Sequence, residues 1–268
     1  MTYIALTPLD LALTALLILL NGALSWAFRL GLERTLVVTS ARMVVQLGLI
    51  GFVLKWIFAQ TSPAWTAALA LVMISVAGWE VLNRQQQRVG TYRTLALGTG
   101  TLMTVGLLAT TFAMVGVIGP QPWYEPRFLL PILGMVLGNA LTGISLVLDT
   151  ITSTTVRERA AIEARLALGA PRREALEDPL RQGLKTGLMP ILNAMAASGL
   201  VSLPGMMTGQ ILAGADPVDA AMYQIMIMFL IAGATALSVV LAGLGAIELL
   251  TDQRHRLRLD RIEPRKRL

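Results

Sequence analysis

Soft metal ligands are concentrated near the C-terminal end of the chain, on two consecutive apolar stretches. They are five methionines, Met206, Met207, Met222, Met226 and Met228. Thioether sulfur binds soft or borderline metal cations, and Gln210 adds an amide one helical turn after Met206. The pattern predicts a weak cation path lined by Met206, Met207, Gln210, Met222 and Met226, with Met206 and Met207 as metal ligands.

The same residue types have a second interpretation, which the sequence alone leaves open. Methionine fills irregular gaps in helix packing, so the methionines are also typical of a packed membrane core. Asn139 and Asn193 lie inside other apolar stretches. They either line the same path or make hydrogen bonds between helices. Thioether also prefers Cu(I) to ferrous iron, so the side chains do not select the metal.

A break is predicted in the apolar stretch that carries Met206. Residues 183–213 would form a rod of about 46 Å at about 1.5 Å per residue, which exceeds the hydrocarbon thickness of about 30 Å. Pro190 and Pro204 interrupt it, and each removes a backbone donor and frees a carbonyl. Freed carbonyls must face protein or water. We therefore predict that Pro204-Gly205 is a gate or hinge.

The composition indicates a membrane protein. The chain has 268 residues, of which 55% are hydrophobic and 14% are charged, and it has no cysteine and one histidine, His255. Soluble domains do not contain so many apolar runs, and the residue counts exclude thiolate and histidine-rich metal sites. The net charge of +6 is explained by membrane orientation rather than by nucleic-acid binding.

The apolar runs predict an all-α polytopic membrane protein with seven transmembrane helices. They cover about 8–28, 35–58, 64–83, 95–118, 127–149, 183–213 and 217–250. With the N-terminus outside, the inner segments hold 2, 3, 7 and 7 basic residues, which is 19 of the 22 Lys and Arg. The positive-inside rule then places the C-terminus in the cytoplasm of a multi-pass protein of the cell inner (plasma) membrane.

Cap signatures refine the ends of these helices. Thr7-Pro8-Leu9-Asp10 and Asp216-Pro217 predict helix starts. Gly134-x-x-x-Gly138 and the series Gly205, Gly209, Ala213 predict faces on which helices approach closely. We expect a transmembrane domain at 1–252 and a solvated basic tail at 253–268 that contacts anionic lipid.

The longest loop, 151–182, is predicted to form two short helices. Thr155-x-x-Glu158 is a capping box that starts a helix near Val156, and Gly169 with Pro171 ends it. Pro171 then opens a second helix to about Glu177, which Asp178-Pro179 ends. The loop is either a solvated linker or a docking element. In the second case Ile162, Leu166 and Leu168 enter a groove of a partner, and Arg159, Glu163 and Arg165 fix the register.

Three segments carry a resemblance to a known family. "EARLALGAP" (163–171) resembles the cytoplasmic coupling loop of ABC-transporter permeases. "GNALTG" (138–143) and "GLVSLPGMMTGQILAGADPVDAAMYQIMI" (199–227) are similar to the FetB-type (UPF0014) permeases, which comprise bacterial iron-export permeases and plant aluminium-tolerance permeases. The likeness extends from about residue 35 to 250. Arg165 stands where a second alanine is common in the importer version of the loop.

The resemblance implies a mechanism for the chain and a partner protein. An acidic-Ala stretch followed by Gly docks into an ATP-binding subunit in that family, which assigns ATPase coupling to Glu163, Arg165, Leu166, Leu168, Gly169, Ala170 and Pro171. The chain lacks G-x-x-x-x-G-K-[ST], so ATP is expected on a separate ABC ATPase subunit, and this chain is not itself an enzyme and binds no cofactor. The resemblance implies a homodimer in membrane lipid that exports a metal cation, iron above all.

Two other functions are left open at this stage. One is an ABC permease for a non-metal substrate such as a nucleotide sugar. The other is a secondary transporter that needs no ATPase, although the span centres lack the paired carboxylates of a proton relay.

Overall fold

The fold is taken from a computed structural model, which describes residues 7–60, 62–85, 87–252, 254 and 256–264. His255 and residues 265–268 of the predicted tail lie outside this range. Within the described residues, ten α-helices follow one another: α1 Pro8–Ala27, α2 Glu33–Phe58, α3 Pro63–Arg84, α4 Thr91–Thr111, α5 Pro126–Arg157, α6 Arg159–Ala167, α7 Arg172–Ala175, α8 Glu177–Ala197, α9 Gly205–Leu212 and α10 Pro217–Leu250. The protein is an all-α polytopic membrane protein, as predicted.

The chain divides into two compact units, of which the first contains residues 1–62 and 212–214. In it α1 and α2 form a helical hairpin. The Thr7 hydroxyl accepts from the backbone N–H of Asp10, and the Asp10 carboxylate accepts from that of Thr7, so the predicted cap is confirmed. At the turn, the Ser25 hydroxyl donates to Glu33 over 2.9 Å. Nearly all apolar side chains of this hairpin are exposed, as expected of helices surrounded by lipid.

The second unit, 63–211 and 215–268, is built around α5, which packs against α3, α4, α8 and α10. Glycines allow the closest approaches. A Cβ placed on Gly187 of α8 would lie 3.0 Å from the carbonyl oxygen of Gly143 on α5 and 3.0 Å from Val239 Cγ1 on α10. A Cβ on Gly183 would lie 2.6 Å from Ile151 Cγ1. Bare backbone at these points lets three helices meet.

The helix count differs from the prediction at one place. Six helices of the described chain are long and apolar enough to cross a membrane: α1, α2, α3, α4 with its π-helical extension Phe112–Ile118, α5 and α10. The predicted span 183–213 is not one kinked helix, because α8 ends at Ala197 and α9 begins at Gly205. The number of crossings and their orientation stay predictions.

Two short strands join the C-terminal segment to the rest of the second unit. Strand β1 (Gln87–Val89) lies between α3 and α4, and β2 (Ile262–Pro264) pairs with it antiparallel, Arg88 opposite Glu263. This pairing ties the chain after α10 to the connection between α3 and α4.

Candidate functional site

A sharp corner joins α6 to α7, and its backbone follows the predicted stop signal. Gly169 has φ +91°, which favours glycine. Its N–H donates to the carbonyl of Leu166 over 3.1 Å, and the N–H of Ala170 donates to that of Arg165 over 3.1 Å. These two hydrogen bonds form the Schellman motif that ends a helix. The predicted end of the first loop helix at Gly169 is confirmed.

The predicted starts of the loop helices are wrong. Thr155 does not cap a helix near Val156, because α5 continues to Arg157 and the Thr155 side chain is fully buried within it. Asp178 and Pro179 do not end a helix either. They lie in the first turn of α8, where proline is tolerated because the first N–H groups have no helical partner. Pro171 precedes α7 as its N-cap instead of opening it.

The inner side of the corner packs on the protein itself. Ile162 of α6 is 2% exposed and lies in an apolar cluster with Ala175, Leu176 and Ile247, and Leu166 packs against the same cluster. The expectation that Ile162 and Leu166 enter a partner's groove is therefore wrong for Ile162, which is already buried. The cluster joins α6 to the α7–α8 junction and to α10, so the corner is fixed to the membrane helices.

The outer side of the corner is exposed. Leu168 is 89% exposed, and Glu163, Arg165, Gly169 and Pro171 are exposed beside it, with Ala170 half-buried. Arg159 pairs with Glu163 at 2.8 Å and Arg165 with Asp178 at 2.9 Å. The second pair links α6 to the start of α8. Leu168 is thus a large apolar side chain that is left exposed among charged ones.

The C-terminal segment is not a free solvated tail over its described residues. Leu257 packs against the cluster of Ile162, Leu176 and Ile247, and the N–H of Arg258 donates to the carbonyl of Leu250 over 2.8 Å. The backbone N–H of Arg256 donates to the Asp252 carboxylate and holds its pKa at about 2. The segment thus folds back against the corner helices.

Replacing Leu257 by aspartate is expected to loosen the corner. The change places a carboxylate against the apolar cluster, and a cost of about 2 kcal/mol follows from the burial of an unpaired charge in a partly exposed site. Limited trypsin digestion should cleave faster at the arginines of α6 and α7. The matched control is Tyr92→Asp on α4, which introduces the same charge at a side chain that is 86% exposed and should leave cleavage at the corner unchanged. Equal digestion of Leu257→Asp and the native chain would contradict the packing role of the tail.

The break between α8 and α9 is a compact loop, 198–204. Its backbone is closed by hydrogen bonds: the N–H groups of Val201 and Ser202 both donate to the carbonyl of Ala197 over 3.1 Å, and Gly199 has φ +93°. Leu200 is 97% and Val201 is 84% exposed. The predicted interruption therefore begins six residues before Pro204. Pro204 is half-buried and directly precedes α9.

The methionines divide between the core and the surface. Met206 and Met226 are half-buried and pack against one apolar core of α4, α5, α8 and α10 residues. Met207 is half-buried, and Met222 is 62% exposed. Met222 and Met226 line an apolar groove of about 530 Å³ beside the π-helical segment, with Phe112 and Phe229. The structure brings Met206 and Met226 to one core, and Met226 also shares the apolar groove with Met222.

The predicted polar path residues also separate. Asn139 is half-buried, and its side-chain amide donates to the carbonyl of Met135 in its own helix over 2.9 Å. Asn193 is exposed on α8. The side-chain oxygen of Gln210 is buried, and in the described part of the chain it has no hydrogen-bond partner. A buried acceptor without a partner is available to a water or a cation.

Close packing lies at other glycines than those predicted. Gly205, Gly209 and Gly138 have open space where a Cβ would be, whereas Gly134 approaches Met73. Close contacts among α5, α8 and α10 lie instead at Gly143, Gly183 and Gly187. The spacing Gly183-x-x-x-Gly187 is the same signal as Gly134-x-x-x-Gly138 and would have found two of them. The π-helical segment Phe112–Ile118 has no comparable sequence signal. Among the described residues, no group of three or more His, Cys, Asp or Glu side chains is placed to hold a metal ion.

Comparison with known proteins decides the family. The family described as "Uncharacterised protein family (UPF0014)" has a model that matches residues 8–250. The chain belongs to the UPF0014 family. This match includes every helix described above, the corner and the break. No solved structure matches the chain.

Individual relatives cover most of the chain. It is 36% identical to UPF0014 membrane protein slr1647 of Synechocystis over 82% of this chain and 80% of the relative. It is 35% identical to UPF0014 membrane protein STAR2 of Oryza sativa over 82% and 75%, respectively. It is 29% identical to the protein named probable iron export permease protein FetB of Escherichia coli over 94% and 95%. The UPF0014 chain described here is therefore a multi-pass membrane protein similar to these three over 82–94% of its length.

Proposed function

We propose that this UPF0014 chain is the permease subunit of an ATP-driven ABC exporter whose ATPase is a separate polypeptide. The observation that carries the proposal is the corner between α6 and α7. Leu168 is exposed on one side of the corner, and Ile162 anchors the other side to the membrane helices. Such a corner can take up a movement of the ATPase subunit and transmit it to the membrane helices.

The transmission path follows from the packing of the second unit. Helix α5 runs without interruption from Pro126 to Arg157, and a single residue separates it from α6. The buried cluster adds α8 and α10 to the elements that move with the corner. When ATP binding closes the ATPase pair, the corner shifts α5, α8 and α10 together, and the loop 198–204 acts as the hinge between α8 and α9.

A second copy of the chain fits the exposure of α8. This helix has 21 residues but is not apolar enough to count among the membrane spans, and Lys185, Met189 and Asn193 lie on its exposed side at intervals of four residues. A mixed polar and apolar face is costly against lipid. In a homodimer the two α8 faces would enclose the translocation path.

A metal cation, iron in particular, is the proposed substrate. The similarity to the protein named probable iron export permease FetB supports iron, and the thioethers of Met206 and Met207 with the unpartnered oxygen of Gln210 supply weak ligands. Weak ligands suit transport because a substrate must also leave.

The function is tested by the metal content of cells that carry or lack the chain and a candidate ABC ATPase from the same organism. We expect cells with both to hold less iron after an iron load than cells with either alone, while copper and zinc are measured in parallel. If both proteins are expressed and the metal contents do not change, the substrate is not a metal, and a non-metal substrate such as a nucleotide sugar is favoured. Transport into liposomes by the chain alone, driven by a proton gradient, would establish a secondary transporter instead.

Removing two thioethers is expected to reduce iron export without disturbing assembly. The double variant Met206→Leu, Met207→Leu keeps the side-chain volume but lacks sulfur, so export should fall about fivefold or more while the ATPase still co-purifies. The matched control is Met103→Leu on the exposed side of α4. Native export rates in the double variant would mean that these methionines only pack.

A further inference from the structure

We infer that the C-terminal segment and α7 form a binding pocket for a phosphate group, supplied by an anionic phospholipid of the adjacent membrane surface. The pocket is a cavity of about 450 Å³ next to the last turn of α10. Its lining is strongly basic. The lining residues are Arg172, Glu248, Thr251, Asp252, Arg254, Arg256 and Arg261.

The charges of the pocket do not balance. Four arginines face two carboxylates, which leaves a formal charge of +2. Arg172 Nη2 lies 2.7 Å from Glu248 Oε2, and Arg256 Nη2 lies 2.8 Å from Asp252 Oδ2. The backbone N–H of Arg256, aided by its guanidinium, lowers the pKa of Asp252 to about 2, so this carboxylate stays ionised beside Arg256. Both carboxylates are therefore already occupied by arginines.

Arg254 and Arg261 supply the excess charge. Arg261 Nη1 donates to the carbonyls of Leu249 and Thr251 over 2.9 and 3.2 Å, and so offsets the negative end of the α10 helix dipole. Arg254 is exposed, and its side chain has no ion pair with any described residue. Its guanidinium is the free fork that a phosphate oxygen pair would bind.

The position of the pocket selects the source of the phosphate. The apolar helix α10 ends at Leu250, and the lining residues 251–261 follow directly. The 34 residues of α10 span about 51 Å at about 1.5 Å per residue, against about 40–45 Å for a bilayer with its headgroups, so its last turn lies at or just beyond the headgroups when α10 crosses. Arginines at such a position attract anionic lipid, with about 1 kcal/mol per basic residue near the surface.

The pocket also touches the corner. Arg172 belongs to α7, and its carboxylate partner Glu248 belongs to α10. A phosphate bound beside Arg172 would share its guanidinium with Glu248 and would further fix α7 against the end of α10. A lipid bound in the pocket would thus contact the corner directly, whether or not the chain works with an ATPase.

The test is a titration of the detergent-solubilised full chain with a short-chain phosphatidylglycerol, followed by the rise in the thermal unfolding midpoint. Phosphatidylcholine and inorganic phosphate are titrated in parallel. We expect phosphatidylglycerol to bind at least tenfold more tightly than phosphatidylcholine. Arg254→Gln should weaken phosphatidylglycerol binding at least fivefold, since it removes a charged fork from the pocket without breaking an ion pair among the described residues.

The control is Arg173→Gln, which removes the same charge from an exposed position of α7 that does not line the pocket. It should bind phosphatidylglycerol like the native chain. Binding of inorganic phosphate that depends on Arg254 would support the pocket with a soluble ion as its source. Equal binding of both lipids, or equal losses in Arg254→Gln and Arg173→Gln, would overturn the assignment. Neither outcome affects the proposed transport function.

Discussion

The variant Gly187→Leu is expected to yield almost no folded protein. Even a Cβ at this position would lie 3.0 Å from the Gly143 carbonyl oxygen, 3.0 Å from Val239 Cγ1 and 3.2 Å from Val147 Cβ. All three neighbours belong to the backbone or to a stiff β-branched side chain, so α5, α8 and α10 must separate. Overpacking of a well-packed core costs about 1–3 kcal/mol or more, and a full leucine at a crossing of three helices lies at the upper end.

The measurement is the yield of monodisperse protein in detergent and its unfolding midpoint. The matched control is Gly100→Leu on α4, where nothing lies within 4 Å of the added Cβ. It should be expressed and should unfold like the native chain. Comparable yields and midpoints for the two variants would refute the tight junction of α5, α8 and α10.

The variant Leu168→Asp is expected to abolish stimulation of the partner ATPase while leaving the fold intact. Leu168 is 89% exposed, so the change costs the isolated chain little. At the centre of an interface, however, a buried aspartate without a partner costs about 2 kcal/mol or more, which corresponds to about 30-fold weaker docking. ATP hydrolysis by the reconstituted complex should fall to the rate of the ATPase alone.

Two further variants separate docking from general damage. Tyr92→Asp changes a side chain that is 86% exposed on α4, outside the corner, and should leave hydrolysis unchanged. Gly169→Ala should lower stimulation as well, because φ +91° strains any side chain and displaces the corner. If Leu168→Asp and Tyr92→Asp supported equal stimulation, the corner would not be the docking site.

Local chemistry predicted the helix ends that involve only neighbouring residues. The carboxylate of Asp216 accepts from the N–H groups of Val218 and Asp219 over 2.8 and 3.3 Å, and α10 extends over 217–250 as predicted. Thr7 and Gly169 behave likewise. At these positions one side chain or one backbone conformation decides the boundary, and the sequence contains that information.

Long-range packing overrode the local signals elsewhere. Thr155 and Glu158 have the spacing of a capping box, but Thr155 is buried against the core of the second unit, and the energy of that burial favours continuing α5. The break after α8 forms at Gly199, where the chain turns, although Pro204 is the stronger local breaker. The sequence pattern predicted the break between α8 and α9 but not the residue at which it begins.

The C-terminal segment illustrates a second limit of sequence patterns. Its run of arginines predicted a solvated tail, and only the structure places Leu257 in the cluster of Ile162 and Ile247 and pairs β2 with β1. Alternating charges and single leucines are compatible with either outcome, because Ile162 is 95 residues from Leu257 and β1 is about 175 residues from β2 in sequence. The methionines were ambiguous for the same reason, and their assignment as metal ligands stays a proposal.

The most direct test of the account is the accessibility of the corner in the presence of the ATPase. The chain has no cysteine, so Ala167→Cys introduces a single thiol at an exposed position next to Leu168. Labelling of this thiol by a polar maleimide should slow at least tenfold when the ATPase is bound, and its rate should change again on addition of ATP, while a Tyr92→Cys control is labelled at a constant rate. Equal labelling of Ala167→Cys with and without the ATPase would contradict the claim that the corner receives the motion of a separate ATPase.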